Sequence, residues 1–417
     1  MAAVARASPF YGWRVVGGAF VMAAFGWGIG FFGPPVFLTV VHDTRGWPLA
    51  LVSTAITVHF LLGALIGANL PRLHRRFGAA PVTKVCAVSL ALGICGWALA
   101  EEPWQLFAAT ILSGAGWSAL SAAAINAIVA PWFVRSRPTA LAMAYNGGSV
   151  GGIIFSPLWV AAIGTLGFPA AAAVIGLVMV ATMWTIASTL FAHTPQQMGL
   201  APDGDAPDAA PAVALASPAV RLLPGALLWR DWRFRTLAAA MALGLFAQIG
   251  LIAHLFSLLV PALGAQRAGL AMGLITAMAI VGRTLLAWLL RPGVDRRLVA
   301  CIGYTAQLSG SLAFLAAGGT DTTLLLIGVV LFGAGFGNAT SLPPLIAQVE
   351  FAREDVVRVA ALIVGMSQGA YAFAPAAFGL IRAATPQAHA GAAPVLFAAA
   401  AMIQALAIAA FLAGRRR

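Results

Sequence analysis

The sequence predicts an all-α integral membrane protein of twelve transmembrane helices, arranged as two six-helix pseudo-repeats. Three observations carry this. Of the 417 residues 61% are hydrophobic and only 9% are charged, with a mean hydropathy of +0.93. Soluble chains carry about 25% charged residues, so water-soluble domains are excluded. The apolar stretches are continuous over the roughly 20 residues that a helix needs to cross a bilayer, rather than alternating every second residue, which excludes a β-barrel. The net charge is +12, but the basic residues fall in small clusters between apolar stretches. That is the pattern of membrane loops and not of a nucleic-acid-binding face.

Bounded by charge, Pro or Gly, the spans follow in order. The first, 14–41, begins after Trp13, is too long for a signal peptide and lacks a small-residue cleavage site, so it reads as a retained helix. The second, 49–70, runs from Pro48 to the basic run Pro71-Arg72-Leu73-His74-Arg75-Arg76. The third, 80–100, ends at Glu101-Glu102, and the fourth, 104–130, lies between Pro103 and Pro131. The fifth, 138–164, follows Arg135 and Arg137, and the sixth, 168–192, follows Gly167. The one long polar stretch, 193–235, carries Pro195, Pro202, Asp203, Gly204, Asp205, Pro207, Asp208 and Pro211 and reads as a flexible cytoplasmic linker. Beyond it come spans 236–262, 267–290, 297–318, 322–347, 357–382 and 391–413. The expected organisation is therefore a six-helix bundle at 1–192, a linker at 193–235 and a second bundle at 236–417.

Twelve spans put both termini on one side. With that side taken as inside, 20 of the 24 basic residues are inside and only Arg45, Arg267 and Arg382 are outside. The expectation is a multi-pass protein of the cell inner (plasma) membrane, with both termini cytoplasmic. One basic residue, Arg283, belongs to neither set and lies within the eighth span. The halves also repeat. Trp13-Arg14 recurs as Trp232-Arg233, and Gly114-Ala115-Gly116-Trp117 recurs as Gly333-Ala334-Gly335-Phe336, both at an offset of 219. An internal duplication of this kind places a ligand between the halves near the midplane.

The loop Trp132-Phe133-Val134-Arg135-Ser136-Arg137-Pro138-Thr139-Ala140, continuing to Gly147-Gly148-Ser149-Val150-Gly151, resembles a signature of the monocarboxylate porters and the oxalate/formate antiporter group of the major facilitator superfamily. Tyr11-Gly12-Trp13 and the segment from Thr194 to Gly204 are similar to segments of the same group, and Gly282-Arg283 matches its intramembrane arginine. The resemblance implies a secondary or facilitative transporter of a small organic anion, most simply a monocarboxylate, working by alternating access, with a proton or counter-anion as a further partner. It also implies a conformational latch in the loops after the second and eighth spans, here Arg75 and Arg76, and Asp295 with Arg296. The departures are specific. The first of these loops has no acid, and the lysines and the acid that members carry in the first, eighth and eleventh spans are absent.

Arg283 is the sharpest candidate. An uncompensated Arg at membrane depth costs from about 2.5 to well over 10 kcal/mol, so it normally faces a polar cavity. Its planar fork suits a carboxylate. All twelve acids fall in loops or the linker by these boundaries, so no intramembrane carboxylate neutralises it. At 1.5 Å per residue Asn146 lies about 12 Å from the inner end, level with Arg283. Tyr145, Gln248, Asn338, Gln368 and Tyr371 complete the neutral polar set, each equally able to bridge helices, and Trp117 is a candidate cavity wall. His254 and His59 are the only titratable candidates for a proton relay; a packing role competes with that reading at both. Exchange, facilitated flow and His-assisted symport are all compatible with this inventory. Efflux of amphipathic or cationic compounds is the competing reading, and it would be favoured by a cavity acid. An enzyme is not expected. Gly147-Gly148-Ser149-Val150-Gly151 fits G-x-S-x-G but lies within a span rather than a strand-to-helix elbow, and Walker A and H-E-x-x-H motifs are missing. No cofactor and no metal site are expected, Cys86, Cys95 and Cys301 read as packed thiols, and a monomer is the simplest assembly.

Overall fold

The computed structural model describes residues 10–204, 225–289, 294–337, 342–352, 355–385 and 391–415, and all regular structure among them is helical. The first span is two helices, α1 (Tyr11–Gly30) and α2 (Gly33–Arg45). Then follow α3 (Leu49–Phe77), α4 (Ala79–Leu99), a broken fourth span of α5 (Pro103–Ser118) and α6 (Ala122–Val129), α7 (Arg137–Leu166) and α8 (Phe168–Thr189). A short α9 (Gly225–Arg230) precedes α10 (Trp232–Leu263), α11 (Ala265–Leu289) and α12 (Arg296–Ala317). The tenth span comprises α13 (Thr322–Phe336) and α14 (Leu342–Glu350), the eleventh α15 (Val356–Ala372) and α16 (Ala374–Ala384), and the last is α17 (Pro394–Ala413). Among the described residues eleven spans are long and apolar enough to cross a membrane, and the shorter apolar helix Thr322–Phe336 begins the remaining one, the tenth. The expected spans are all present, with ends displaced by up to seven residues. One consequence corrects the sequence reading of the acids. Asp43 lies inside α2 and Glu350 is the last residue of α14, so these two sit at helix ends rather than in loops.

Four of the described acids serve the helix termini. Asp231, Asp295 and Asp321 each accept two backbone N–H bonds at the start of α10, α12 and α13, and Glu102 forms a reciprocal capping box with Gln105. Three antiparallel pairs, α3–α4, α7–α8 and α10–α11, turn on single glycines, Gly78, Gly167 and Gly264, whose φ of 76–85° only glycine adopts without strain.

The breaks in the first and eleventh spans have a covalent cause. Pro34 has no N–H to offer the carbonyl of Gly30, and that carbonyl receives the Nε2–H of His59 instead, at 2.9 Å. The Phe32 amide bonds back to Trp27, and the carbonyl of Gly28 that it bypasses receives Trp159 Nε1–H at 3.2 Å. Pro375 breaks the eleventh span at Phe373 in the same way.

The duplicated Gly-Ala-Gly motif does the same work twice. A Cβ on Gly114 would collide with the backbone of His59 in α3, and one on Gly116 with Cys86 and Leu90 in α4. At offset 219, Gly333 abuts Ile275 and Met278 in α11, and Gly335 abuts Gly303 and Gln307 in α12. The pseudo-repeat is therefore a repeat of helix contacts as well as of letters.

The two sets of six helices meet through α7 against α11, α3 against α16, and α2 against α10. The start of α1 and the end of α17 lie at the same end of the bundle, since Tyr11 Oη bonds the Thr189 carbonyl, Trp232 Nε1 bonds that of Ala413, and Arg283 near the end of α11 meets Asn146 near the start of α7. We call this the near end and the opposite one the far end.

Candidate functional site

Arg283 projects from α11 between the two sets of helices. Its Nε–H donates to the carbonyl of Gly337 at 3.1 Å, and Nη1 reaches Asn146 Oδ1 of α7 at 3.4 Å. Gly282, the preceding residue, packs so closely on Ala334 that no side chain fits there, which seats α11 against α13 and fixes where the guanidinium emerges. Gly337 is the C-cap of α13, one of the helix-end residues whose carbonyls have to find partners beyond the preceding turns, and the guanidinium is such a partner. Asn146 is exposed and Arg283 half-buried, with no carboxylate bonded to Arg283 among the described residues. The arginine that the sequence isolates is thus held by one carbonyl and one amide, leaving guanidinium N–H groups available to a ligand.

The other candidates divide. Tyr145 donates to the Ala122 carbonyl of α6 at 3.3 Å, fastening α7 to the break in the fourth span. Tyr371 is half-buried, edge-on to Phe60 of the opposite half at 6.0 Å. Gln368, one turn earlier on the same helix, is also half-buried, and the neighbouring Gly365 and Gly369 have open space where a Cβ would be. Gln248 is buried in α10 with its Oε1 unpartnered. Asn338 lies outside the described residues.

Trp117 is 6% exposed, stacked on His59 at 5.5 Å and wedged against Gly30 and Gly63, which is a packing position. His59 is fully engaged, with Nδ1 2.9 Å from Ser113 Oγ and Nε2 on Gly30, so both nitrogens are committed to holding the first span's break. His254 is completely buried near the far end. Its Nε2 is 3.1 Å from the Pro375 carbonyl and 3.4 Å from Ser53 Oγ of the opposite half, and Nδ1 is unpartnered. Beside it the Ala376 amide, at the start of α16, donates to Thr57 Oγ1 of α3 at 3.1 Å. Gly379 lies against Ser53 and Ala50, and Arg382 Nη1 donates to Ser257 at 2.6 Å. The far end is thus closed by a polar seam between the halves. At the near end the segments α6 and α14 pack chiefly within their own halves.

The latch residues are distributed otherwise than the resemblance implies. Asp295 caps α12 and pairs with Arg415 at 2.7 Å. Its partial burial disfavours the charge, but the Arg415 guanidinium and the Arg297 and Leu298 amides outweigh this and hold the carboxyl below its ordinary value. Arg296 bonds the carbonyl of Leu345. Arg297, the next residue of the same loop motif, is the buried member: at 1% exposure it grips Glu350 through two bonds of 2.6 and 2.7 Å and also reaches Thr236 and the Arg233 carbonyl. Arg75 and Arg76 are exposed, with Arg76 over the Phe77 ring.

In the first half the equivalent tie comes from the linker. Asp203, with φ of +60°, accepts the amides of Val134, Arg135 and Ser136 at 2.8–3.1 Å. Around it Phe10, Tyr11 and Trp13 pack on Trp132 and Phe133. The three segments that carry the subgroup resemblance therefore converge on one patch of the near end, and no spacing in the sequence indicates that. Among the described residues no group of three His, Cys, Asp or Glu side chains is arranged to hold a metal.

The sequence profile of the Major Facilitator Superfamily matches residues 19–375. In structure the chain is similar to the nucleoside transporter NupG, with a TM-score of 0.72 at 15% identity, covering 97% of this chain and all of that one. It is also similar to a bacterial homologue of the human lysosomal transporter Spinster in an inward-facing and occupied conformation, with a TM-score of 0.68 at 15% identity, covering 98% and 95%. No curated protein matches the chain in sequence. With the family profile spanning most of its length and the same helical architecture in solved transporters, the chain belongs to the major facilitator superfamily and is a membrane transporter, not an enzyme.

Proposed function

We propose that this transporter carries a small organic anion, a monocarboxylate, across the inner membrane by alternating access, with both termini cytoplasmic. The observation that carries the reading is Arg283, a single cation between the halves, bonded to a carbonyl and an amide and lacking a carboxylate partner among the described residues. A carboxylate docking there supplies the missing charge in a low-dielectric setting, where a charge-assisted bidentate contact is strongest. One fixed cation favours one negative charge over two. Asn146 is placed to share the anion, so the site draws on both halves and senses their relative position. The closed far end and the separated near-end segments fit an inward-open member of the transport cycle. The 20 to 3 distribution of basic residues supports the orientation. The chain works as a monomer in this reading, because the site lies within one copy.

Purified protein in proteoliposomes tests this with labelled carboxylates, with and without a proton gradient or a trans anion. Arg283→Gln is expected to abolish protein-dependent uptake, and Arg283→Lys to lower it at least tenfold, because an ammonium lacks the fork geometry. Anion transport by both variants at the wild-type rate, from normally inserted protein, overturns the proposal.

A further inference from the structure

The near ends of the two halves carry their charge differently. In the second half Arg297 is paired with Glu350 and Arg415 with Asp295. The first half gathers Arg14, three arginines at the end of α3, Lys84, and Arg135 with Arg137 at its near end. Among the described residues the one acid there is Asp203, whose oxygens accept the amides of 134–136. The imbalance traces to the loop after the second span, which has no acid.

Lys84, the chain's single lysine, lies five residues inside the start of α4, and Trp184 lies five residues before the end of α8. Both therefore stand about 7.5 Å inside the helix ends. Side chains lean toward the N-terminus of their helix, which for α4 is the near end, so the ammonium rises toward the headgroup level while its stem stays along the helix. It comes to rest over the Trp184 ring, 4.9 Å from the centroid, and that ring is 51% exposed. No carboxylate is paired with Lys84 among the described residues. Deeper in the span α4 and α8 are in contact at Ala91 and Gly176. Beside that seam the exposed side chains are apolar, Val85 and Leu92 on α4 and Val174 and Leu177 on α8. A cation with an interfacial aromatic above, and an apolar seam below, matches the two ends of a phospholipid.

We infer that the α4–α8 seam binds an anionic phospholipid of the near-end leaflet, its phosphate on Lys84 and its acyl chains along Val85 and Leu177. The Trp184 ring holds one face of the ammonium, and the remaining N–H donors are left for phosphate oxygens. Lysine meets a phosphate as a point charge, which suits a headgroup free to turn. A zwitterionic lipid brings its own cation to an end already rich in arginine, so a net negative headgroup is favoured. A lysine kept for topology alone has no need of the ring. Nothing in this site involves Arg283, so it stands or falls apart from the anion reading above.

The test is native mass spectrometry of the full-length protein released from neutral detergent, titrated with dioleoylphosphatidylglycerol or dioleoylphosphatidylcholine. The first phosphatidylglycerol is expected to bind at least fivefold more tightly than phosphatidylcholine. Lys84→Gln should lower that affinity at least fivefold, and Lys84→Arg should keep most of it. Trp184→Leu, which leaves every charge in place, should lower it at least twofold and provides a second route should Lys84→Gln insert poorly. Arg230→Gln, which removes one exposed charge from the near end of the other half, should leave it unchanged. Equal binding of the two lipids, or wild-type affinity in Lys84→Gln and Trp184→Leu, overturns the inference. So does a loss in Arg230→Gln as large as that in Lys84→Gln, which would mark a diffuse basic surface. Displacement of phosphatidylglycerol by equimolar sn-glycerol 3-phosphate would make this a site for soluble phosphates and overturn the lipid assignment.

Discussion

At the scale of single residues, several charged groups among the described residues tie helices together, whereas Arg283 is bonded to a carbonyl and an amide. Arg297 and Glu350 show what a structural charge looks like here: a two-bond pair with an arginine at 1% exposure, between the start of α12 and the end of α14. Removing one member strands the other, which typically costs about 3–5 kcal/mol, whereas replacing both by apolar residues of similar volume is often near neutral. Arg297→Met and Glu350→Leu are therefore each expected to lower the thermal unfolding midpoint markedly, and the double variant to recover more than half of the loss. Purely additive losses would show that the pair is not coupled. Asp203 gives a pH-dependent counterpart. Partial burial opposes its charge, but the amides of Arg135, Ser136 and Val134 prevail and keep its carboxyl below the ordinary value. A depressed carboxyl stabilises the folded loop above the usual carboxylate range and loses that contribution as pH falls through the lowered value. Hydrogen exchange at pH 7 should find the amides of 134–136 protected in the wild type and exposed in Asp203→Ala. Equal exchange in the two would remove Asp203 from this role.

At the scale of elements, glycines decide how close the helices come, and the sites separate cleanly. Gly335 sits on the backbone of Gly303 and Gln307, whereas at Gly17 nothing lies within 4 Å of the place a Cβ would take. Gly335→Val is expected to push α13 off α12 and abolish stable insertion. Gly17→Ala should be neutral or stabilising by about 0.5–1 kcal/mol, the usual helical advantage of alanine. Measured midpoints in the reverse order would refute the packing assignment. These elements are largely legible in the sequence, because a membrane span is written in some twenty consecutive letters and the two Gly-Ala-Gly motifs carry their own register. The breaks are not. Pro34 and Pro375 are visible in the sequence, but whether a freed carbonyl is satisfied depends on His59 and Trp159 arriving from other spans. For the same reason Arg283 is legible as a charge with no partner within its span, while Gly337, which holds it, and the convergence of Tyr11, Trp132 and Asp203 are not. Each of those contacts is set by tertiary packing across tens of residues.

At the scale of the whole molecule, the proposed alternating-access cycle requires the two six-helix halves to exchange one closed seam for another, and the seam closed here is at the far end. It is built from contacts of α3 with α10 and α16: Ser53 with His254, the Ala376 amide with Thr57, and Gly379 against Ser53 and Ala50. The polar bonds are few and individually worth about 1 kcal/mol, so the closed state is separable by a ligand-sized change in free energy. The geometry at Gly379 is less forgiving. A Cβ there would stand 2.6 Å from Ser53 Oγ and 2.7 Å from Ser53 Cβ, an atom that the α3 backbone fixes in place. Gly379→Leu should therefore hold the far end apart. The measurement is the labelling rate of a cysteine placed by Ser53→Cys, a position with no solvent exposure in the closed seam, in a chain whose Cys86, Cys95 and Cys301 are replaced by alanine. A membrane-impermeant maleimide added from the far side should react at least fivefold faster when Gly379→Leu is present, with transport lost and the unfolding midpoint little changed. Unchanged labelling in a folded variant would mean that the seam closes by some other contact, and that α16 is not the element that opens.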